Sequence, residues 1–121
     1  MQTAKRQYDA ASTSFGQALS IYHAIGSASG QAQVGFWQGM LYLEQDNYSA
    51  ARDAFGDALK ICRRVGDRPG EAQSLRGLAA WHRRQGHREA AMAALNEALR
   101  VVKQPRPTIL ENKIREEIDA L

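Results

Sequence analysis

The sequence predicts an all-α fold, a right-handed α-solenoid of antiparallel helix hairpins with a capping helix at its C-terminal end. One observation is a register of forty residues that runs through most of the chain without a gap. The other is the recurrence of apolar residues at steps of three and four between glycine-rich breaks. A period of this length indicates stacked copies of one helical unit. The register is carried by Tyr8, Ala11, Phe15 and Gly26, by Tyr48, Ala51, Phe55 and Gly66, and by Ala91 and Leu95.

The breaks divide the chain into about two and a half units. The first unit has only an outer helix, because too few residues precede Tyr8 for an inner one. Since stacking usually needs about three repeats, we expect the chain to be part of a longer array or to complete its amino-terminal face by association. The predicted segments are residues 4–25 (first outer helix), residues 31–65 (second unit), residues 71–103 (third unit) and residues 108–121 (capping helix).

Glycines lie at the breaks between helices and also at positions where two helices are expected to pack closely. Gly26–Gly30 and Gly66–Gly70 are predicted to separate helices, because glycine relieves the backbone where a helix ends. Gly35 and Gly39 lie four apart on the first inner helix, where each costs about 1 kcal/mol of helix propensity. We expect the following helix, which starts at Tyr48, to pack closely against them.

The C-terminal helix has its own start signal and a single apolar stripe. Pro105 and Pro107 end the periodic part. Thr108 and Glu111 then fit a capping box, in which each side chain bonds a free backbone amide. The stripe consists of Leu110, Ile114, Ile118 and Leu121.

The composition limits the classes of protein to which the chain can belong. The chain has 121 residues, 44% hydrophobic and 24% charged, without an apolar run near the about 20 residues that span a bilayer. No secretory signal is visible at the amino terminus, so we expect one cytoplasmic domain without a membrane segment. Cys62 is expected to be a buried filler rather than a reactive thiol.

The forty-residue register and the residues that carry it resemble the tetratricopeptide repeat family in its forty-residue variety, which occurs in bacterial regulators and in adaptors of the kinesin-light-chain and polarity-scaffold type. The resemblance covers residues 8–103, but the family's inner-helix aromatic is Tyr42 in one copy and His82 in the other. It implies an interaction scaffold whose inner helices line a concave groove that binds a peptide or helix. The family's small and apolar positions match Gly39 and Ala79, Ala11, Ala51 and Ala91, Phe15, Phe55 and Leu95, and Ala18, Ala58 and Ala98.

Projecting the family's groove onto the inner helices places an aromatic patch beside an arginine patch. Such a surface suits a partner with apolar and acidic residues, because arginine grips a carboxylate with two donors. The competing interpretation of the aromatic patch is that it packs against another helix. The competing interpretation of Arg83 and Arg84 is that they face water at the end of an inner helix, where the helix dipole favours cations. The predicted groove residues are Gln33, Phe36, Trp37, Met40 and Glu44 on the first inner helix, and Gln73, Arg76, Gly77, Ala80, Arg83 and Arg84 on the second.

Two further functions stay open. The chain could self-associate as a homo-oligomer or helix-swapped dimer through Phe15 and Leu19 on its first helix. The basic, arginine-rich middle of the chain suggests nucleic-acid binding as another function. The net charge of only +3 argues against this function. No residues fit an enzyme, a cofactor or a metal site, and His82 and His87 lack a third ligand at a suitable spacing. Trp81 is expected at a core or half-buried position.

Overall fold

In the part of the chain that the structure describes, six α-helices follow one another as a helical repeat, which confirms the predicted all-α solenoid. The computed structural model describes residues 2–103 and 109–121, with side chains from Arg6 onward. The helices are α1 (Gln2–Ala24), α2 (Ala28–Glu44), α3 (Tyr48–Val65), α4 (Arg68–Arg84), α5 (Arg88–Val102) and α6 (Ile109–Asp119). We call α1, α3 and α5 outer helices, and α2 and α4 inner helices.

Both inner helices begin three residues earlier than the sequence predicts. Ser27 is the N-cap of α2, and its hydroxyl accepts a hydrogen bond from the Gly30 amide at 3.1 Å. Asp67 caps α4 in the same way, with the Gly70 amide at 3.0 Å. A capping side chain satisfies a free amide of the first turn, so Gly30 and Gly70 belong to the helices. The breaks shrink to three residues before α2 and two before α4.

Left-handed backbone at the turns repeats with the forty-residue register. Gly26 and Gly66, after the outer helices, have φ of 71° and 74°. Asp46 and Gly86, after the inner helices, have φ of 57° and 77°. Glycine adopts this conformation without strain and aspartate is among the residues that tolerate it, so equivalent turns form despite different residues.

The ring of Phe55 on α3 occupies the space between the two inner helices. A Cβ atom added to Gly39 of α2 or to Gly77 of α4 would overlap this ring. At Gly35 an added Cβ would lie 3.5 Å from Cβ of Ala58, in ordinary contact. The prediction that Gly35 and Gly39 admit the following helix is therefore confirmed.

The largest part of the core lies between α4, α5 and α6, and Leu59 of α3 joins it. Ile114 of α6 is completely buried there, and the other residues of the predicted stripe, Leu110, Ile118 and Leu121, pack against the same cluster. Thus α6 covers apolar surface of the last hairpin. Thr108, and with it the predicted capping box, lies outside the described residues.

Helix α1 is less covered than the other outer helices. Its main contact is with α2, where the Tyr22 ring packs so closely that a Cβ on Gly30 would overlap it. Phe15 is half-buried, whereas the equivalent Phe55 is completely buried. The amino-terminal end of the solenoid therefore carries partly exposed apolar side chains.

Candidate peptide-binding groove

A cleft of about 490 Å³ opens along the inner helices α2 and α4, near their N-terminal ends. Its walls include the starts of both helices, and α1 and α6 each contribute one side chain, Tyr22 and Leu110. Helix α3 contributes Cys62, so the cleft is formed by five helices from across the solenoid, and not by one hairpin. Such a shape suits a chain segment that crosses several helices.

Four of the predicted groove residues line this cleft: Gln33, Phe36, Gln73 and Arg76. Gln33 is exposed and Gln73 and Arg76 are half-buried, so their polar groups are accessible. Phe36 is buried and packs at 5.8 Å between ring centroids against Phe55. The cleft therefore combines an apolar base with amide and guanidinium groups that can bond a peptide backbone or carboxylate.

Three predicted residues on α2 do not line the cleft. Trp37 is 48% exposed and meets the edge of the Phe36 ring, with 5.1 Å between centroids. Met40 packs against the cluster around Phe55, and Glu44 is exposed at the last residue of α2. Trp37 thus remains an accessible aromatic outside the cleft, and Met40 serves packing.

The prediction that Gly77 and Ala80 face the groove is wrong. Gly77 is buried against the Phe55 ring, and Ala80 packs against the same cluster. The projection failed here because Phe55 reaches from α3 across to the neighbouring inner helix, which turns this side of α4 into core.

Arg76 is paired within the chain. Its Nε donates a hydrogen bond to Oε1 of Glu117 on α6 at 2.6 Å, and one Nη contacts the same carboxylate oxygen. A guanidinium carries five N–H donors, so this pair leaves further donors on Arg76, a residue that lines the cleft. The cleft therefore has one cation whose charge is partly balanced by α6.

Arg83 and Arg84 bond backbone carbonyls of this chain and do not line the cleft. Arg83 donates to the carbonyl of Ala120 at 3.5 Å, and Arg84 donates to that of Leu43 at 3.3 Å. Asp46 also lies 3.6 Å from Arg84. A cation at the carbonyl end of a helix is favoured by the helix dipole, so Arg84 stabilises the end of α2.

Sequence reasoning missed Tyr22 and Leu110 as cleft residues. Tyr22 belongs to an outer helix, and the only signal for its position is Gly30, the glycine over which its ring lies. Leu110 belongs to the apolar stripe of α6. Its place at the cleft depends on how α6 docks, which no local pattern encodes.

Cys62 lies at the cleft but is almost completely buried, which confirms its prediction as a filler. Burial raises the pKa of its thiol, and the nearby carboxylate of Asp67 raises it further. Since the thiolate is the nucleophile, this environment disfavours reaction at the sulfur.

The hairpin turn after α4 brings two histidines together. The rings of His82 and His87 lie 6.1 Å apart, and Trp81 meets His82 edge-on. Trp81 is half-buried, and its indole N–H donates to the carbonyl of Tyr48 at 2.7 Å. Burial and then His87 lower the pKa of His82. Within residues 2–103 and 109–121, no three metal-binding side chains converge.

Comparison with known proteins identifies the repeat. A search of curated proteins gives no match. A family model described as tetratricopeptide repeat matches residues 30–104, which contain nearly all of α2 and the whole of α3, α4 and α5. Repeats of this family are non-catalytic scaffolds that generally mediate protein–protein interaction. None of the described helices is long and apolar enough to cross a membrane. The chain belongs to the tetratricopeptide repeat family.

Proposed function

We propose that this protein is a scaffold that binds a segment of a partner protein, extended or helical, in the cleft along α2 and α4. The observation that carries the proposal is the cleft itself, in which Gln33, Phe36, Gln73 and Arg76 meet. Apolar surface with a few well-placed polar groups is the usual lining of a binding site. The amides and guanidinium would fix the orientation of the segment.

The chemistry of the partner follows from the lining. Tyr22, Phe36 and Leu110 offer apolar surface, and Arg76 offers a cation. Helix α6 already presents an acidic group to Arg76 through Glu117, which supports a partner that does the same from the open side of the cleft. We therefore propose a segment with apolar side chains and at least one carboxylate.

The test removes the charge of each partner of the Arg76–Glu117 ion pair in turn, and the two variants should change peptide affinity in opposite directions. The probe is a fluorescein-labelled peptide in which glutamates alternate with leucine and phenylalanine, and its binding is followed by fluorescence anisotropy. Arg76→Gln should weaken binding about tenfold, because a hydrogen bond to a charged group is lost. Glu117→Gln should strengthen binding about threefold, because it removes the half-buried carboxylate that competes with the peptide for Arg76.

Two controls separate recognition from folding. Arg84→Gln removes an arginine outside the cleft and should leave affinity unchanged. A peptide with lysine in place of glutamate should bind weakly to every variant. If Arg76→Gln and Glu117→Gln weaken binding equally, the ion pair only holds α6 in place, and the proposed role of Arg76 is wrong.

A further inference from the structure

A depression of about 440 Å³ lies at the open end of the α4–α5 hairpin, between the first turn of α4 and the last turns of α5. It shares no lining residue with the cleft. We call it the arginine pocket, and its lining residues are Arg68, Glu71, Glu97, Arg100 and Val101. Because all of these except the valine carry a charge, the pocket suits an ionic ligand.

Both carboxylates of the arginine pocket are already paired within the chain. Nε of Arg63, on α3, donates a hydrogen bond to Oε2 of Glu71 at 3.2 Å. One of its Nη atoms donates to Oε1 of Glu97 at 2.8 Å. Arg68 and Arg100 are exposed, and neither forms an ion pair with any residue that the structure describes. Their guanidinium groups are therefore available to a ligand.

Arg68 occupies a position where a cation is unfavourable to the helix. It is the first residue of α4, where the positive end of the helix dipole favours a negative side chain instead. The equivalent first residue of α2 is Ala28, forty residues earlier, and the α2–α3 hairpin forms with alanine there. The hairpin thus does not require Arg68. A residue that opposes local stability in this way is typical of a functional site.

The charges around the arginine pocket match a phosphate group. Four cations surround two carboxylates, which leaves two positive charges. The cations are Arg63, Arg68, Arg100 and the exposed Lys103, three residues after Arg100, and the carboxylates are Glu71 and Glu97. A phosphate monoester carries a charge of about −1.5 to −2 at neutral pH and has three acceptor oxygens. It can therefore bond two arginines at once.

We propose that the arginine pocket binds a phosphorylated side chain of a partner protein, whose phosphate oxygens accept hydrogen bonds from Arg68 and Arg100. Guanidinium groups match phosphate geometry with pairs of parallel N–H donors. Val101 offers apolar surface to the carbon atoms of the phosphorylated residue. Because Glu71 and Glu97 limit the positive surface, the pocket suits one phosphate better than the row of phosphates in a nucleic acid. The site does not rest on the function proposed for the cleft.

The probe is a short capped peptide of alanine and glycine with one central phosphoserine. It is titrated into the full ¹⁵N-labelled chain and followed by two-dimensional NMR. The backbone amides and the Nε–H groups of Arg68 and Arg100 should show the largest shift changes. The same peptide with unmodified serine should cause none. A peptide with glutamate at the centre should bind at least about tenfold more weakly, because it has less charge and one oxygen fewer.

Variants of the chain locate the site. Arg68→Gln and Arg100→Gln should each weaken phosphopeptide binding about tenfold, because each removes hydrogen bonds from a charged donor. Arg68→Gln should also leave the melting temperature unchanged or slightly higher, since it removes a cation from the amino-terminal end of α4. Arg115→Gln, at an exposed position on α6, is the matched control and should bind the phosphopeptide as well as the unsubstituted chain.

Four outcomes would overturn the proposal. Two are the absence of phosphate-dependent shift changes and equal binding of the glutamate peptide. The third is a lower melting temperature for Arg68→Gln, which would show that this arginine holds the hairpin together. The fourth is a single-stranded DNA oligonucleotide that binds more tightly than the phosphopeptide and is weakened equally by Arg68→Gln and by Arg88→Gln. That result would indicate a diffuse nucleic-acid surface in place of a phosphate pocket.

Discussion

Single residues decide how closely the helices of this solenoid approach, and Gly77 is the clearest case. The Phe55 ring lies where a Cβ of Gly77 would be, and Phe55 is completely buried. The ring therefore has no free space into which it could move. Packing at this position opposes the general preference of a helix for alanine over glycine.

Gly77→Ala should therefore lower the free energy of unfolding. Alanine gains about 1 kcal/mol of helix propensity, but overpacking a closed core costs about 1–3 kcal/mol, so packing outweighs propensity. Gly56→Ala on α3 is the matched control, since nothing lies within 4 Å of its added Cβ. It should stabilise by about 0.5–1 kcal/mol. Urea denaturation measures both, and stabilisation by both variants would show that Phe55 is not packed as described.

A second residue-scale prediction concerns pH. Nδ1 of His82 is buried and, among the described residues, has no hydrogen-bond partner. Burial, and then His87, lower the pKa of His82 below its ordinary value of 6.5. The folded state thus favours neutral His82, and the stability this contributes is present above about pH 6.5 and is lost as pH falls.

The measurement compares the free energy of unfolding at about pH 7.5 and about pH 5. The unsubstituted chain should lose more stability on acidification than His82→Asn does. His23→Asn, at an exposed site on α1, should behave like the unsubstituted chain. An identical pH dependence for His82→Asn would mean that His82 titrates in the fold as it does in water.

At the scale of elements, α6 is part of the core and also shapes the cleft. Ile114 is completely buried, while Ile109 on the same helix is 84% exposed. Ile114→Ala should cost about 2–5 kcal/mol of stability, and Ile109→Ala should change it by less than about 0.5 kcal/mol. Thermal and urea unfolding measure both. Equal, small effects would show that α6 does not dock on α4 and α5.

The elements were predictable to different degrees for physical reasons. Hairpins follow from local periodicity and turn residues, so the forty-residue register predicted the course of α1 to α5. The predicted starts of α2 and α4 are wrong because glycine by itself predicts a break, whereas Ser27 and Asp67 cap the helices and place Gly30 and Gly70 inside them.

The cleft was less predictable, because it depends on contacts between distant residues. Arg76 meets Glu117, forty-one residues away, and Gly77 is filled by a ring from another hairpin. A projection onto one helix contains neither fact. It found Gln33, Phe36, Gln73 and Arg76, whose positions follow from the inner-helix pattern alone, and missed Tyr22 and Leu110.

At the scale of the whole molecule, the core and the cleft overlap at Ala32, Phe36 and Cys62, which are buried and also line the cleft. Outer helices contribute Phe55, Leu59 and their alanines to the core, while the starts of the inner helices form the cleft.

The most direct test of the cleft as the binding site is a two-dimensional ¹H–¹⁵N NMR titration of the full chain with the acidic, apolar peptide. We predict that the largest shift changes fall on the amides of Gln33, Gln73 and Arg76 and on the Gln33 and Gln73 side chains. Arg76→Gln should reduce them. Shift changes confined to the exposed faces of α3 and α5 would contradict the central claim.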